Sequence, residues 1–139
     1  MIAPGDSAAG RFCWIDLAAT DARRAQDFYA RLFGWRAHEQ AANGGSFSRL
    51  ELEGADVASL YQLGNAQLQQ GVPSHWTPYV RVRSADAAAR RAAELGGGVL
   101  VQPFDVDGIA RIALVVDGVG ASFGLWQPLA QGGAAGGRA

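Results

Sequence analysis

Apolar and polar residues follow the same order twice along this chain. Residues 11–35 begin with a mostly apolar segment, Phe12 to Ala18, which is typical of a strand. Thr20-Asp21 then supplies the side-chain oxygens that helix N-termini prefer, and Gly34 is typical of a helix C-terminus. The residues between them predict a helix over Ala22 to Phe33. Its apolar positions recur at helical spacing, at Ala25, Phe28, Tyr29, Leu32 and Phe33.

Residues 76–98 repeat this order. A strand is followed by Ser84 as an N-cap, by an alanine-rich helix and by a run of glycines that ends it. Aligning the two segments pairs Trp14 with Thr77, Leu32 with Leu95 and Gly34 with Gly97. The halves also end alike, because residues 57–62 read VASLYQ and residues 122–127 read SFGLWQ.

Each half has room for two more strands between its helix and its last strand. Asn43-Gly44-Gly45 and Asp107-Gly108 are typical of tight hairpin turns. The strands on either side of these turns are predicted at Trp35–Gln40, Ser46–Glu53, Val99–Val106 and Ile109–Asp117. The chain is therefore predicted to be an α+β protein made of two βαβββ modules.

The domain boundaries follow from composition. The tail from Ala130 is almost entirely glycine and alanine, which cannot offset the entropy lost on ordering. We expect a single domain over residues 11–128 and disorder in residues 1–10 and 129–139. Within the domain we expect module one at 11–63, a linker at 64–73 and module two at 74–128.

Composition narrows the possible partners and compartment. The formal net charge is −1, which argues against nucleic acid or an anionic membrane as a partner, because both need a basic face. No apolar run is long enough to cross a membrane, and the N-terminus lacks the features of a secretory signal. The single cysteine, Cys13, cannot form an internal disulfide, so we expect a reducing, cytoplasmic location. All 12 cations are arginine, which excludes Schiff-base chemistry through lysine.

Two motifs carry a resemblance to a known family. A strand leading to Thr-Asp, a helix that ends in FYARLFGW at residues 28–35, and GASFGLWQP at residues 120–128 resemble the glyoxalase/bleomycin-resistance/extradiol-dioxygenase (vicinal oxygen chelate) superfamily. The resemblance implies curved mixed sheets around one cleft, and often a homodimer. Members of the family include isomerases, dioxygenases, thiol transferases and drug-sequestering resistance proteins, so the fold alone does not name a reaction.

The family's four metal-ligand positions map onto Trp14, Ser59, Thr77 and Gly124. Metal-binding members need His, Gln or Glu there, whereas these four residues offer no suitable ligand for Zn, Fe, Ni or Mn. We therefore expect neither a metal nor any other cofactor. His75 lies two residues before Thr77, but a single histidine lacks partners for a metal site.

Strand alternation predicts which side chains face the cleft. The ligand-binding residues are expected to be Trp14, Ser59, Tyr61, Thr77, Tyr79 and Trp126. The hypothetical catalytic residues are Asp16 as a general base, with Tyr79 or Arg81 stabilising an oxyanion. Val57 is expected to face the cleft in phase with Ser59. Cys13, Ile15 and Leu17 are expected to face the helix, with Cys13 buried.

Structural roles remain open for the same residues. Trp14 and Trp126 are equally consistent with filling the space where the family holds its metal, and Asp16 with Arg81 is equally consistent with a structural ion pair. Arg49 and Arg111 lie on third strands whose phase the sequence does not fix.

The leading functional hypothesis is a metal-free protein that binds a planar or aromatic small molecule, for sequestration or resistance. An alternative is a metal-independent isomerase, cyclase or lyase of secondary metabolism that uses Asp16 as its base. A metal-dependent lyase or dioxygenase is the third hypothesis, and it would require a different alignment of the ligand positions.

Overall fold

The computed structural model describes residues 9–129 and has the predicted α+β class. The first half contains β1 (Phe12–Ala19), α1 (Ala22–Phe33), β2 (Arg36–Ala42), β3 (Gly45–Leu52) and β4 (Ala55–Gln62). A short helix, α2 (Asn65–Gln69), lies in the expected linker. The second half contains β5 (His75–Arg81), α3 (Ala85–Glu94), β6 (Gly98–Val106), β7 (Ala110–Val116) and β8 (Ser122–Pro128). The βαβββ order is therefore confirmed in both halves.

The backbone divides into two compact units, which are described separately. Residues 14–77 form the first unit, and residues 9–13 with 78–129 form the second. Apart from residues 9, 10 and 129, the ends predicted to be disordered lie outside the described residues. Within the described range no helix combines the length and the apolar character needed to span a bilayer.

The sheet of the first unit is mixed, in the order β2-β3-β4-β1. Strands β2, β3 and β4 are antiparallel neighbours, whereas β4 returns to pair in parallel with β1. The β2–β3 turn has positive φ at Asn43 (52°) and Gly44 (80°), as a two-residue hairpin of this type requires. Glu53 and Gly54 also have positive φ, so a turn falls where the sequence predicted that β3 continues.

Helix α1 packs on one face of this sheet. Its small residues Ala22 and Ala25, with Tyr29, contact a buried cluster. The cluster consists of Leu17, Ala19, Leu50, Ala58 and Leu60. N-cap Asp21 and C-cap Gly34, with φ of 80°, bound the helix as predicted.

The apolar stripe predicted for α1 is wider than the surface that the sheet covers. The side chains of Phe28 and Leu32 are each 57% exposed, and Phe33 is 51% exposed. Helical spacing of these apolar residues therefore predicted the helix correctly, but three of them lie outside the core. Only the edge of the stripe that carries alanine and Tyr29 reaches the sheet.

Aromatic rings extend the core of the first unit. Tyr29 stacks on Trp35 with ring centroids 5.3 Å apart and meets Trp76 edge-on at 5.6 Å. Trp35 and Trp76 themselves pack edge to face at 6.4 Å. Two of the four tryptophans therefore stabilise this helix-sheet layer, at about 0.5–1.5 kcal/mol per aromatic pair beyond their buried area.

A bulge in β4 changes the facing of Val57. Leu50 pairs with Ala58, but the next residue, Glu51, pairs with Asp56, so Val57 has no partner on β3. An extra residue resets the alternation of a strand. Val57 consequently packs against the helix-side core, and its predicted cleft-facing position is wrong.

The first half of β1 is less buried than its apolar sequence predicted. Leu17, Ala18 and Ala19 are buried, whereas Ile15 is 38% exposed and Cys13 is exposed. The prediction that Cys13 is buried is wrong, and Ile15, which was expected to face the helix, does not belong to the buried cluster. In β1 the buried cluster begins only at Leu17.

The second unit repeats the arrangement in the order β5-β8-β7-β6, with β8 parallel to β5. Ala89 of α3 packs against Ala113, Val115 and Leu125. N-cap Ser84 accepts from the amide of Ala87, as predicted. The glycine with positive φ after this helix is Gly96 rather than the aligned Gly97, because α3 is two residues shorter than α1.

Arg111 faces the helix side of this sheet. Its guanidinium donates to Asp86 of α3 at 2.9 Å and to Asp105 of β6 at 3.0 Å. These hydrogen bonds raise the pKa of Arg111, and the same guanidinium lowers the pKa of Asp86. The Arg111 side chain, whose direction the sequence left open, therefore faces α3 and links this helix to the sheet.

The glutamine that ends each LYQ or LWQ motif has the same task in both units. Gln62 Oε1 accepts from the amide of Ala22, the first residue of α1, at 2.8 Å. Gln127 Oε1 accepts from the amide of Ala85, the first residue of α3, also at 2.8 Å. The first amides of a helix have no partner within it, so each last strand caps the helix of its own module.

Replacing Gln127 with Ala should lower the free energy of unfolding by about 1–2 kcal/mol, because the amide of Ala85 loses its acceptor. Denaturant unfolding followed by circular dichroism measures this. Gln102→Ala, at an exposed position of β6, is the matched control and should change stability by less than about 0.5 kcal/mol. Equal effects of the two substitutions would contradict the capping role.

Candidate functional site

Parallel pairing of β1 with β4 places three polar side chains together. Asp16 is in register with Ser59. The indole Nε1 of Trp14 donates to Ser59 Oγ at 2.8 Å, and Ser59 Oγ donates to Asp16 Oδ1 at 2.6 Å. The hydroxyl of Ser59 is therefore oriented by its acceptor and its donor, and the chain of hydrogen bonds ends on a carboxylate.

These side chains lie on the sheet face opposite α1. Leu17, Ala58 and Leu60 alternate with them and belong to the helix-side core. Trp14, Asp16, Ser59 and Tyr61 therefore share the other face, as predicted from strand phase. We call this surface the Asp16 face. It combines two aromatic side chains with one carboxylate.

Burial dominates the electrostatics of the Asp16 face. Desolvation raises the pKa of Asp16 above its usual range, while the Ser59 hydrogen bond and the charge of His75 lower it by less. The pKa of Tyr61 is also raised, first by burial and then by the negative charge of Asp16. A carboxylate whose pKa is raised by burial is a stronger base than a carboxylate in water.

Sequence reasoning missed part of this face. Arg49 is in register with both Ser59 and His38, so one row crosses the sheet from Asp16 to His38. The guanidinium of Arg49 donates to Asp56 at 2.7 Å, and His38 Nε2 contacts Glu51 Oε1. The Asn43-Gly44 turn is sufficient to predict the β2–β3 register from the sequence. The bulge in β4 is not visible in the sequence, so the pairing of Arg49 with Ser59 could not be predicted.

The equivalent face of the second unit is aromatic rather than polar. Tyr79 is in register with Gly124, and Arg81 with Trp126. The rings of Tyr79 and Trp126 meet edge-on with centroids 5.8 Å apart. The Tyr79 side chain is 6% exposed and lies directly over Gly124. A Cβ atom at residue 124 would overlap this ring, so the position requires glycine.

The four positions expected to hold the family's metal do not form a ligand set. Trp14 offers only an N–H donor, Ser59 Oγ is held between Trp14 and Asp16, and the space beside Gly124 is filled by Tyr79. His75 donates from Nδ1 to the Pro73 carbonyl at 2.8 Å. Over residues 9–129 no three His, Cys, Asp or Glu side chains are grouped closely enough to hold a metal ion.

The predicted site residues therefore fall into two groups. Trp14, Asp16, Ser59 and Tyr61 lie together in the first unit, and Tyr79 and Trp126 lie together in the second. Thr77 and Arg81 are partly buried residues of β5. Their roles toward a ligand, and the Asp16–Arg81 ion pair, stay predictions.

Comparison with known proteins gives one family. Residues 14–125 match the family model described as a glyoxalase-like domain. The anthracycline biosynthesis protein DnrV of Streptomyces peucetius is 34% identical over 131 residues, which cover 86% of this chain and 48% of DnrV. CFP32 of Mycobacterium bovis, named as a glyoxylase candidate, is 34% identical over 116 residues, covering 82% of this chain and 44% of CFP32. The chain thus spans about half the length of these relatives.

Solved structures show the same fold at low sequence identity. Methylmalonyl-CoA epimerase from Mycobacterium tuberculosis superposes with a TM-score of 0.63 at 18% identity, over 93% of each chain. A hypothetical protein from Bacillus halodurans superposes with a TM-score of 0.64 at 15% identity, over 87% of this chain and 96% of its own. At this identity the likeness extends to the fold alone.

The raised pKa of Asp16 should make stability depend on pH. The folded chain keeps a proton that the unfolded chain releases near pH 3.9, so stability falls as pH rises from there through the folded pKa and stays lower above it. Asp16→Asn should remove this loss. Ser59→Ala should extend it to higher pH, because it removes a hydrogen bond that lowers the pKa. Thermal unfolding from pH 3 to pH 8 measures both, and parallel curves for all three proteins would contradict the assignment.

Gly124→Ala should destabilise the second unit by about 1–3 kcal/mol, because its Cβ overlaps the Tyr79 ring. The same substitution in a Tyr79→Ala background should cost less, which a double-mutant cycle by denaturant unfolding measures. Gly118→Ala has open space around it and is the control. Additive effects of Gly124→Ala and Tyr79→Ala would show that the Tyr79 ring is not the reason why residue 124 must be glycine.

Proposed function

Because the chain belongs to the glyoxalase-like domain family, we propose that it binds a planar, aromatic small molecule on the Asp16 face. The ligand lies against the indole of Trp14 and presents a hydroxyl or carbonyl group to Asp16. Flat apolar surface beside a few oriented polar groups is the usual composition of a small-molecule site.

The observation that supports this proposal is the Trp14–Ser59–Asp16 chain of hydrogen bonds. It fixes the indole plane next to a carboxylate, so both the aromatic wall and the polar group are held before a ligand arrives. Ser59 is only 6% exposed, which keeps the chain from exchanging freely with water. A preorganised site of this kind loses little conformational entropy on binding.

The relatives favour a ligand of secondary metabolism. DnrV is named as an anthracycline biosynthesis protein, and anthracyclines contain a flat, fused-ring system. We propose a ligand of that shape, handled in biosynthesis or sequestered for resistance. This chain matches about half the length of DnrV. Its role in biosynthesis or resistance is therefore proposed here and is not taken over from DnrV.

We propose further that binding needs neither a metal nor an organic cofactor. The occupied donor atoms of Trp14 and Ser59 and the ring over Gly124 support this view. A homodimer, with no nucleic-acid or membrane partner, is part of the same proposal. The exposed apolar side chains of α1, Phe28 and Leu32, are consistent with further packing in an assembly.

A second candidate is a metal-independent isomerase, cyclase or lyase in which Asp16 is the general base. The upward shift of its pKa by burial favours this reading, since general bases work best when their pKa approaches the working pH. Ser59 would orient the carboxylate toward a C–H or O–H bond of the ligand. Tyr79 and Arg81 remain predictions as oxyanion partners.

Fluorescence titration with a dihydroxyanthraquinone tests the binding proposal. The wild type should bind it, and Trp14→Ala should weaken binding by about 1–3 kcal/mol through loss of the stacking surface. Phe33→Ala, an exposed aromatic truncation on α1 of the same unit, is the matched control and should leave affinity unchanged. A larger effect of Phe33→Ala than of Trp14→Ala would reject the Asp16 face as the site.

Proton exchange in deuterated water separates the enzyme from the binder. Mass spectrometry of 1-tetralone, a fused-ring ketone with C–H bonds beside its carbonyl group, should show faster deuterium incorporation with the protein than in buffer only if Asp16 acts as a base. Asp16→Asn should then reduce the exchange rate by about 10²–10⁴-fold with affinity nearly kept. Binding without exchange in the wild type would support the binding function and reject Asp16 as a general base.

A further inference from the structure

The first unit contains a cavity on the side of the sheet opposite the Asp16 face. It has a volume of about 420 Å³ and lies between the end of β1, the start of α1 and residues 74–76. Leu17 and Ala19, which belong to the helix-side core, line it. We call it the α1 cavity. Its volume is in the range of small-molecule sites.

One wall of the α1 cavity is aromatic. Phe28, Tyr29 and Trp76 line it. The Tyr29 ring meets both of the others edge-on, at centroid distances of 5.1 Å to Phe28 and 5.6 Å to Trp76. The neighbouring rings hold Tyr29 in place, while the Phe28 side chain stays 57% exposed to the cavity mouth and solvent. A flat apolar body would cover this exposed surface.

The lining also includes a cation, Arg24, which lies one helical turn before Phe28 on α1, together with Asp21. The Arg24 guanidinium lines the cavity and makes no hydrogen bond or ion pair with any of residues 9–129. Asp21, the acid beside it, accepts from the amide of Arg24 at 3.1 Å and so serves as the N-cap of α1. The charge on Arg24 is therefore available to an anionic ligand.

Hydrogen-bond donors line the same cavity. The hydroxyls of Thr20 and Ser74 lie 3.2 Å apart, so one hydroxyl hydrogen is used between them and the other is left for a ligand. His75 uses Nδ1 on the Pro73 carbonyl, and its Nε2 makes no bond within the described chain. The first turn of α1 contains arginines and no acid, against the preference set by the helix dipole. A bound anion would offset that unfavourable placement.

We propose that the α1 cavity binds a small aromatic carboxylate. Its ring lies against Phe28, Tyr29 and Trp76, and its carboxylate meets Arg24, with a hydroxyl of Thr20 or Ser74 as a second donor. This site is separate from the Asp16 face, because its lining residues and those of the Asp16 face alternate along β1. The proposal therefore does not depend on the function proposed above.

Calorimetric titration with 2-naphthoate and its neutral amide, 2-naphthamide, tests the site. The wild type should bind the carboxylate more tightly than the amide. Arg24→Gln should weaken 2-naphthoate binding by about tenfold or more and change 2-naphthamide binding little, because a charge-assisted hydrogen bond is lost. Phe28→Ala should weaken both compounds, and circular dichroism checks that each variant is folded.

Arg23→Gln is the matched control. It removes a cation from the same first turn but does not line the α1 cavity, so it should leave both affinities within about twofold. Equal losses in Arg23→Gln and Arg24→Gln would overturn the proposal, since a diffuse charge effect would explain them. Absence of saturable 2-naphthoate binding at millimolar concentration would also overturn it. Loss of binding in Trp14→Ala instead of Arg24→Gln would move the ligand to the Asp16 face and leave the proposed function standing.

Discussion

Parallel pairing between the first and last strands of each module determines where every functional side chain lies. In the first unit it sets Asp16 beside Ser59, and in the second it sets Tyr79 beside Gly124. The same pairing brings Gln62 and Gln127 to the first amides of the two helices. A slip of one residue would turn each of these side chains to the opposite face of its sheet. Strand register therefore determines both the capping of the two helices and the geometry of the site.

Equivalent backbone positions carry different chemistry in the two modules. In the first, Ser59 is polar and joins Trp14 to Asp16; in the second, Gly124 has no side chain and Tyr79 fills the space above it. The positions expected to hold the family's metal therefore form part of a hydrogen-bond chain in one module and of a ring-packing contact in the other. Both solutions satisfy the rule that buried space is filled and buried polar atoms are paired.

In the first unit, the hydrophobic core and the candidate site lie on opposite faces of one sheet. Alanines and Tyr29 of α1 pack against the buried cluster on one side, and the Asp16 face lies on the other. Burial of Asp16 raises its pKa and so costs stability above the acid range, while the oriented hydrogen bonds of Ser59 recover part of that cost. A buried acid that lowers the stability of the fold in this way is typical of functional sites. Arg24, on the helix side, has no partner among residues 9–129 and is a second unfavourable placement, in the α1 cavity.

The sequence by itself determined the two βαβββ modules, the caps Asp21 and Ser84, and the common face of Trp14, Asp16, Ser59 and Tyr61. These follow from local patterns, namely period-2 alternation, helical spacing and turn residues, which need no knowledge of distant neighbours. The resemblance added the family, which the match over residues 14–125 confirmed. Only the tertiary structure decided that Val57 turns inward at a bulge, that Phe28 is exposed, and that Arg49 and His38 share a row with Asp16. Those facts depend on strand register and on how much of a helix its sheet covers, and both are set by contacts between residues far apart in the chain.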